Sequence, residues 1–217
     1  MIRSNSGVLR APTASVIGGI LLGWFAISSE RCHADSPVIW KVEEDWELVI
    51  NEPEDNTNSP QVTFFVTPSS LFGSTYFQLQ MNYHADEDYS AGGFHVAAVR
   101  GDEIVDETRS QNQSLLTTDG DVIRWTSVAA VVNNKLLFAV KDGHCESWGD
   151  FGGPEYLVEM PALATQTFAN YSHTQSSAAT DIGFGGNRVS SVKLKRVRMF
   201  DSVGGVATIT IPDPPQS

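Results

Sequence analysis

Apolar and polar residues alternate along the middle of the chain in a pattern that predicts three antiparallel strands. Residues 122–132 and 135–141 are rich in Val, Ile, Leu and Phe, and Asn133-Asn134 separates them. Asp142-Gly143 then separates the second segment from residues 144–148. Asn, Asp and Gly tolerate the positive φ angles of two-residue hairpin turns, so both breaks predict tight turns. The pattern indicates a β-meander, a unit of antiparallel sandwiches and barrels.

The same period of two recurs on both sides of this meander. Apolar residues alternate around Phe64, Phe77 and Phe94, and clusters of turn-forming residues separate these segments. No window of ten or more residues shows a convincing helical period. We therefore predict an all-β fold, an antiparallel two-sheet sandwich. Residues 35–211 are expected to form a single domain, followed by a flexible tail at 212–217.

Residues 189–200 form another alternating segment, and residues 206–211 add a shorter one. The apolar phase of the longer segment shifts by one residue near Lys195-Arg196, which predicts a β-bulge there. Its outward basic residues are expected to face solvent or to pair with neighbouring carboxylates; they are Lys193, Lys195, Arg196 and Arg198.

The first 34 residues differ in character from the rest. Arg3 and Arg10 give a basic start, residues 16–27 are apolar, and Cys32-His33-Ala34 suits a signal-peptidase site. The apolar run is shorter than the ~20 residues that cross a bilayer. We expect residues 1–34 to be a cleaved signal peptide. This predicts a secreted, periplasmic or cell-envelope protein with no membrane span after cleavage.

Charge and cysteine content narrow the classes further. The chain has 14 basic and 26 acidic residues and a net charge of −12, which repels nucleic acids, so we exclude them as partners. Cleavage after Ala34 would leave Cys145 as the only cysteine, so no intramolecular disulfide is possible. A packed core must then supply the stability, and Cys145 is expected to be part of it.

Two segments resemble concanavalin A-like sandwiches, particularly the laminin G-like branch. Residues 125–143 are similar to the central meander of that family, in which a Trp strand, a hydrophobic partner strand and a Gly turn follow one another. Residues 187–201 are similar to its closing strand, which ends in a basic residue and an aromatic one. The resemblance implies a jelly-roll sandwich with rim loops or a concave sheet face, where relatives often bind carbohydrate.

Aromatic and acidic residues cluster directly after the meander, at Trp148, Asp150, Phe151 and Tyr156. Flat aromatic rings can stack on the C–H faces of sugars, and carboxylates accept hydrogen bonds from hydroxyls. This cluster is the predicted ligand site. In the alternative interpretation, Trp148 and Phe151 fill the end of the sandwich.

A row of carboxylates offers a catalytic alternative. On a strand, Glu43, Asp45 and Glu47 share one face, and such a row could supply the nucleophile and acid of a retaining glycosidase. It resembles the Glu-x-Asp-x-Glu strand of family-16 glycoside hydrolases, although Glu44 stands where that family has an apolar residue. The other interpretation is a charged face exposed to solvent.

One acidic loop is a candidate for binding calcium. Residues 84–89 contain Asp86 and Asp88, whose oxygens could bind Ca²⁺, although the spacing is not that of an EF-hand. A solvated loop explains the same residues, and we expect no other cofactor.

These observations favour an exported, non-catalytic module that binds an extracellular or envelope carbohydrate. The alternatives are a glycoside hydrolase using Glu43, Asp45 and Glu47, and a structural envelope protein without a small ligand. The sequence leaves the oligomeric state open.

Overall fold

The computed structural model describes residues 37–53, 60–82, 93–109, 116–179 and 181–213. Within these ranges the chain forms twelve β-strands, one short helix and three 3-10 turns. The strands are β1 (Ile39–Ile50), β2 (Pro60–Val66), β3 (Thr75–Asn82), β4 (Gly93–Arg100), β5 (Glu103–Arg109), β6 (Asp121–Val132), β7 (Lys135–Cys145), β8 (Gly149–Phe151), β9 (Leu157–Pro161), β10 (Asp181–Phe184), β11 (Val189–Asp201) and β12 (Val206–Thr210). The helix α1 spans His173–Ala179, and the 3-10 turns span Ser70–Phe72, Pro154–Tyr156 and Gly186–Arg188.

The strands form two antiparallel sheets. Sheet A has the order β12-β11-β1-β6-β7, and both β8 and β9 pair with the far side of β7. Sheet B has the order β10-β2-β3-β4-β5. This architecture confirms the predicted all-β, antiparallel two-sheet fold.

The core lies between the two sheets. Phe64 of sheet B packs edge-on against both Trp46 and Trp125 of sheet A, with ring centroids 5.7 Å apart in each case. Phe77 of sheet B stacks on Phe138 of sheet A at 4.2 Å. Burying one large apolar side chain contributes about 1.5–3 kcal/mol, so a core of this kind can stabilise the fold without a disulfide. Cys145 is a buried free cysteine within it, and burial raises the pKa of its thiol to about 12.

The period of two along β1 explains its place in the middle of sheet A. Val42, Trp46, Leu48 and Ile50 point into the core, and the residues between them face outward, apart from Glu44. β1 pairs with β11 on one side and with β6 on the other. The chain's first described strand therefore lies beside one of its last.

The two predicted turns of the meander have different outcomes. Asn133 and Asn134 form the turn between β6 and β7, with φ angles of 50° and 61°, as predicted. The Asp142-Gly143 turn was wrong, because β7 continues through both residues and the chain reverses at residues 146–148. Asp142 has a φ of 52° and forms a bulge, across which the pairing changes from Arg124 with His144 to Thr126 with Lys141.

The bulge predicted in the closing strand is confirmed. Asp45 pairs with Arg196, whereas the next residue, Trp46, pairs with Leu194, so Lys195 is the extra residue of β11. The strand predicted at 206–211 is also present, as β12.

Residues 1–34 lie outside the described residues, so the signal peptide stays a prediction, as do the domain boundaries. Among the residues that the structure describes, no helix is long and apolar enough to cross a membrane.

Candidate functional site

The outer face of sheet A carries a cross-strand array of charged side chains. Glu43, Asp45 and Glu47 occupy alternate positions of β1 on that face, opposite basic residues of the neighbouring strands. Register places Arg198 beside Glu43 and Arg196 beside Asp45. We use the name charged array for Glu43, Asp45 and Glu47 of β1, Arg124 of β6, and Arg196 and Arg198 of β11.

Each of these three β1 carboxylates forms ion pairs with basic side chains of the protein. Arg124 Nε donates to Glu47 Oε2 at 2.9 Å, and Arg196 Nε donates to Asp45 Oδ2 at 2.6 Å. Arg198 Nη2 donates to the other oxygen of Asp45 at 2.9 Å, and Thr126 Oγ1 donates to that oxygen at 2.8 Å. These bonds fix Asp45 at the centre of the array.

Glu43 is the most enclosed of the three carboxylates. Lys41 and Lys141 each donate to Glu43 Oε1 at 3.1 Å, and Arg198 Nε lies 3.0 Å from Oε2, as an ion pair without hydrogen-bond geometry. Burial alone would raise the pKa of Glu43, but the hydrogen bonds and charges of the two lysines lower it. A glycosidase needs one carboxylic acid that keeps its proton near neutral pH. The two lysines lower the pKa of Glu43 and favour its ionised form, so Glu43 does not suit the acid role, whereas the catalytic alternative as a whole stays a prediction.

A depression of about 400 Å³ lies in this face. Its lining contains four basic and three acidic residues, together with Thr126 and two Trp residues whose side chains are buried in the core; the lining residues are Asp45, Trp46, Glu47, Arg124, Trp125, Thr126, Asp142, Lys195, Arg196 and Arg198. Small-ligand sites are concave and contain convergent polar groups, and most are lined mainly by apolar side chains, whereas this one is lined mainly by charged residues. The depression is the candidate functional site.

The aromatic residues predicted to bind a ligand come together, but they point inward. Trp148, Phe151 and Tyr156 are buried and surround Phe94, with centroid distances of 5.8, 4.9 and 6.4 Å to its ring. Asp150 is exposed, and its carboxylate lies 2.8 Å from His144 Nδ1. Buried rings cannot stack on a sugar, so the geometry favours the alternative interpretation, in which the aromatics fill the end of the sandwich.

The calcium candidates Asp86 and Asp88 lie outside the described residues. Within the described ranges, no group of three or more His, Cys, Asp or Glu side chains is placed to hold a metal ion.

Two features of sheet A do not follow from the sequence. The first is the identity of the partners in the charged array: Arg196 and Arg198 were expected to face solvent or to pair with carboxylates, and they bind Asp45, but no local pattern reveals that this carboxylate lies on β1 or that Arg124 joins the array. The second is Glu44, which faces the core between Val42 and Trp46 and accepts hydrogen bonds from Tyr171 Oη at 2.8 Å and Ser176 Oγ at 2.6 Å. The alternation of β1 was the available signal, because it assigns position 44 to the inner face.

The chain matches no protein-family model, and no curated protein sequence matches it. Among solved structures, it is similar to peanut lectin, described with the nine-residue peptide PVIWSSATG. The TM-score is 0.35 and the sequence identity 10%, over 60% of this chain and 59% of the lectin chain. The matched region is thus less than two thirds of the lectin's length, and the similarity is weak and partial.

Proposed function

We propose that this protein is an exported, non-catalytic binding protein that holds a carbohydrate in the depression on the outer face of sheet A. The observation that carries the proposal is the charged array, which presents hydrogen-bonding atoms at fixed positions around a concave surface. Export is supported by the basic start, the short apolar run and the small residues before Asp35.

The array leaves both acceptors and donors open to a ligand. Within the described residues, Glu47 uses only Oε2, so its Oε1 is an open acceptor. Arg124 and Arg196 bind their carboxylates through Nε and keep their terminal nitrogens as donors. A sugar hydroxyl both donates and accepts, so paired acidic and basic side chains can bind several hydroxyls of one ring.

A glycan-binding screen with the purified protein tests this proposal. We expect at least one polysaccharide to bind, and Glu47→Ala to weaken that binding about tenfold, the scale of one lost hot-spot contact. Glu159→Ala is the matched control, because Glu159 is also ion-paired, to Lys135 at the β7–β9 edge, and does not line the depression. The control variant should bind like the wild type. Failure of every glycan to bind would favour the structural-protein alternative.

Trp148→Ala distinguishes the depression from the aromatic cluster. Because Trp148 is buried against Phe94 and Phe151, we expect this change to cost about 3–5 kcal/mol of unfolding free energy. Glycan affinity, measured well below the melting temperature of the variant, should stay unchanged. A large loss of affinity with little loss of stability would instead place the ligand at residues 148–156.

A further inference from the structure

Within the described residues, two arginines of the charged array use only one of their five N–H donors each. A guanidinium has five N–H donors, which lie in one plane and match a carboxylate or a sulfate in pairs. Within the described residues, the side chain of Arg124 hydrogen-bonds only to Glu47 and that of Arg196 only to Asp45, in both cases through Nε. The two terminal nitrogens of each side chain therefore make no hydrogen bond with the rest of the described chain.

Exposure separates these two arginines from Arg198. The side chains of Arg124 and Arg196 are 57% and 48% exposed, whereas that of Arg198 is 22% exposed and binds both Glu43 and Asp45. Arg198 is therefore occupied by its two carboxylate partners and is less accessible to a ligand. Arg124 and Arg196 can bind a ligand without giving up the ion pairs that hold them.

The strand order sets the spacing of the two open guanidinium groups. Arg124 lies on β6 and Arg196 on β11, with β1 between them. Neighbouring strands are about 4.8 Å apart, so the two side chains arise about 10 Å apart across the sheet. Both side chains reach towards β1, where they bind Glu47 and Asp45, so one ligand in the depression can contact both guanidinium groups.

The charge of the whole chain makes this arrangement unusual. The lining of the depression has four basic side chains against three acidic ones, in a chain whose net charge is −12. Elsewhere the protein repels polyanions, so an anionic ligand gains nothing from non-specific attraction. Binding of such a ligand would have to be local.

We infer that the depression takes an acidic polysaccharide, whose anionic groups bind the open guanidinium groups of Arg124 and Arg196. This inference rests on the proposed carbohydrate-binding function and specifies its substrate class. The carboxylates of uronic acids and the sulfates of sulfated sugars share the chemistry that the two arginines recognise. Glu47 Oε1 remains available to the hydroxyls of the same chain.

The test compares three polymers by isothermal titration calorimetry with the purified protein. The probes are oligogalacturonate, which carries carboxylates, dextran sulfate, which carries sulfates, and neutral dextran. We expect at least one of the two anionic polymers to bind at least tenfold more tightly than dextran. The stronger of the two identifies which anion the protein prefers.

Two charge-removing variants locate the binding. Arg124→Gln and Arg196→Gln should each weaken binding of the anionic polymer about tenfold, and the double variant should weaken it further. Both should lower the melting temperature only slightly, because the arginine end of each ion pair is about half-exposed. Lys135→Gln is the matched control, since it removes an equally exposed, ion-paired cation at the edge of sheet A. It should bind like the wild type.

Three other outcomes would contradict the inference, and one of them would also contradict the proposed function. Dextran binding as tightly as the anionic polymers would overturn the inference and leave the proposed function intact. Anionic binding that Arg124→Gln and Arg196→Gln leave unchanged would also overturn it, because the site would lie elsewhere. If no glycan of any kind binds, the proposed function and the inference both fail.

Discussion

Glu44 places a carboxyl group on the inner face of β1, among apolar side chains. Tyr171, Ser176 and Trp46 all donate to it, the last from Nε1 at 3.2 Å. Burial raises the pKa of Glu44 from its ordinary value of 4.5, and these hydrogen bonds offset only part of the effect. Tyr171 and Ser176 belong to the segment around α1, so this one side chain ties that segment to sheet A.

The raised pKa predicts how stability depends on pH. The folded protein holds the Glu44 proton more tightly than the unfolded chain, so this contribution is fully present below pH 4.5 and is lost as the pH rises through the folded pKa. We expect the free energy of unfolding of Glu44→Gln to increase relative to that of the wild type as the pH rises from 5 to 8. The gain is at most about 1.4 kcal/mol per pH unit.

The neighbouring carboxyl groups do not obscure this measurement. Hydrogen bonds lower the pKa of Glu43 and of Asp121 in spite of their burial, so their contributions to stability are lost only as the pH falls below the ordinary range of carboxyl groups. Both groups are also unchanged in the Glu44→Gln variant. A stability difference that stays constant from pH 5 to pH 8 would mean that the pKa of Glu44 in the folded protein is not raised, and would contradict the prediction.

At the scale of elements, alternation predicted the strands that bury one face on the core, such as those around Phe64, Phe77 and Phe94. It also predicted the bulge at Lys195, since an extra residue shifts the apolar phase from Leu194 to Val197. The structure at Asp142-Gly143 was harder to predict, because a residue with a positive φ occurs in bulges as well as in turns. The choice depends on a distant strand, as β7 stays paired with β6 on both sides of the bulge.

The candidate site was only half predictable from local sequence. The β1 carboxylates share a face because of the period of two, which a short segment reveals. Their partners do not follow from it, because Arg124 is 77 residues away from Glu47 and Arg196 is 151 residues away from Asp45. A slip of one residue in either pairing would turn the arginines to the other face. The aromatic residues at 148–156 show a different limit of local sequence. Their composition predicted a ligand site, but packing against Phe94, a residue distant in sequence, buries their rings.

The β7 bulge predicts a strong effect of a small substitution. A Cβ at Gly143 would overlap the ring of Phe151, which is itself packed against Phe94. We expect Gly143→Ala to destabilise the protein by about 1–3 kcal/mol, the usual cost of overpacking. Chemical denaturation measures this change. Gly186→Ala is the control, because a Cβ there meets only Ile182 at ordinary contact distance, and its cost should be well below that of Gly143→Ala.

At the scale of the whole molecule, the first described strand, β1, pairs with β11, the next-to-last one. β1 pairs with β11 over Ile39 to Ile50, so the middle of sheet A is complete only when both ends of the domain are present. β12 lies at the edge and is mostly exposed. The two ends of the domain therefore differ in what they contribute to stability.

Two truncations test this difference. A chain that begins at Glu47 lacks Val42, Trp46 and half of the pairing of β1, and one buried Trp is worth about 3–5 kcal/mol. Small domains have only about 5–15 kcal/mol of total stability, so we expect this chain not to fold.

A chain that ends at Ser202 loses β12 and the ion pairs of Asp213 with Lys193 and Lys195, and it should fold with a slightly lower melting temperature. Circular dichroism with thermal melting distinguishes the two chains, and a chain starting at Pro37 is the control that should match the wild type. A cooperative transition in the Glu47 chain, or its loss in the Ser202 chain, would contradict the central role of β1.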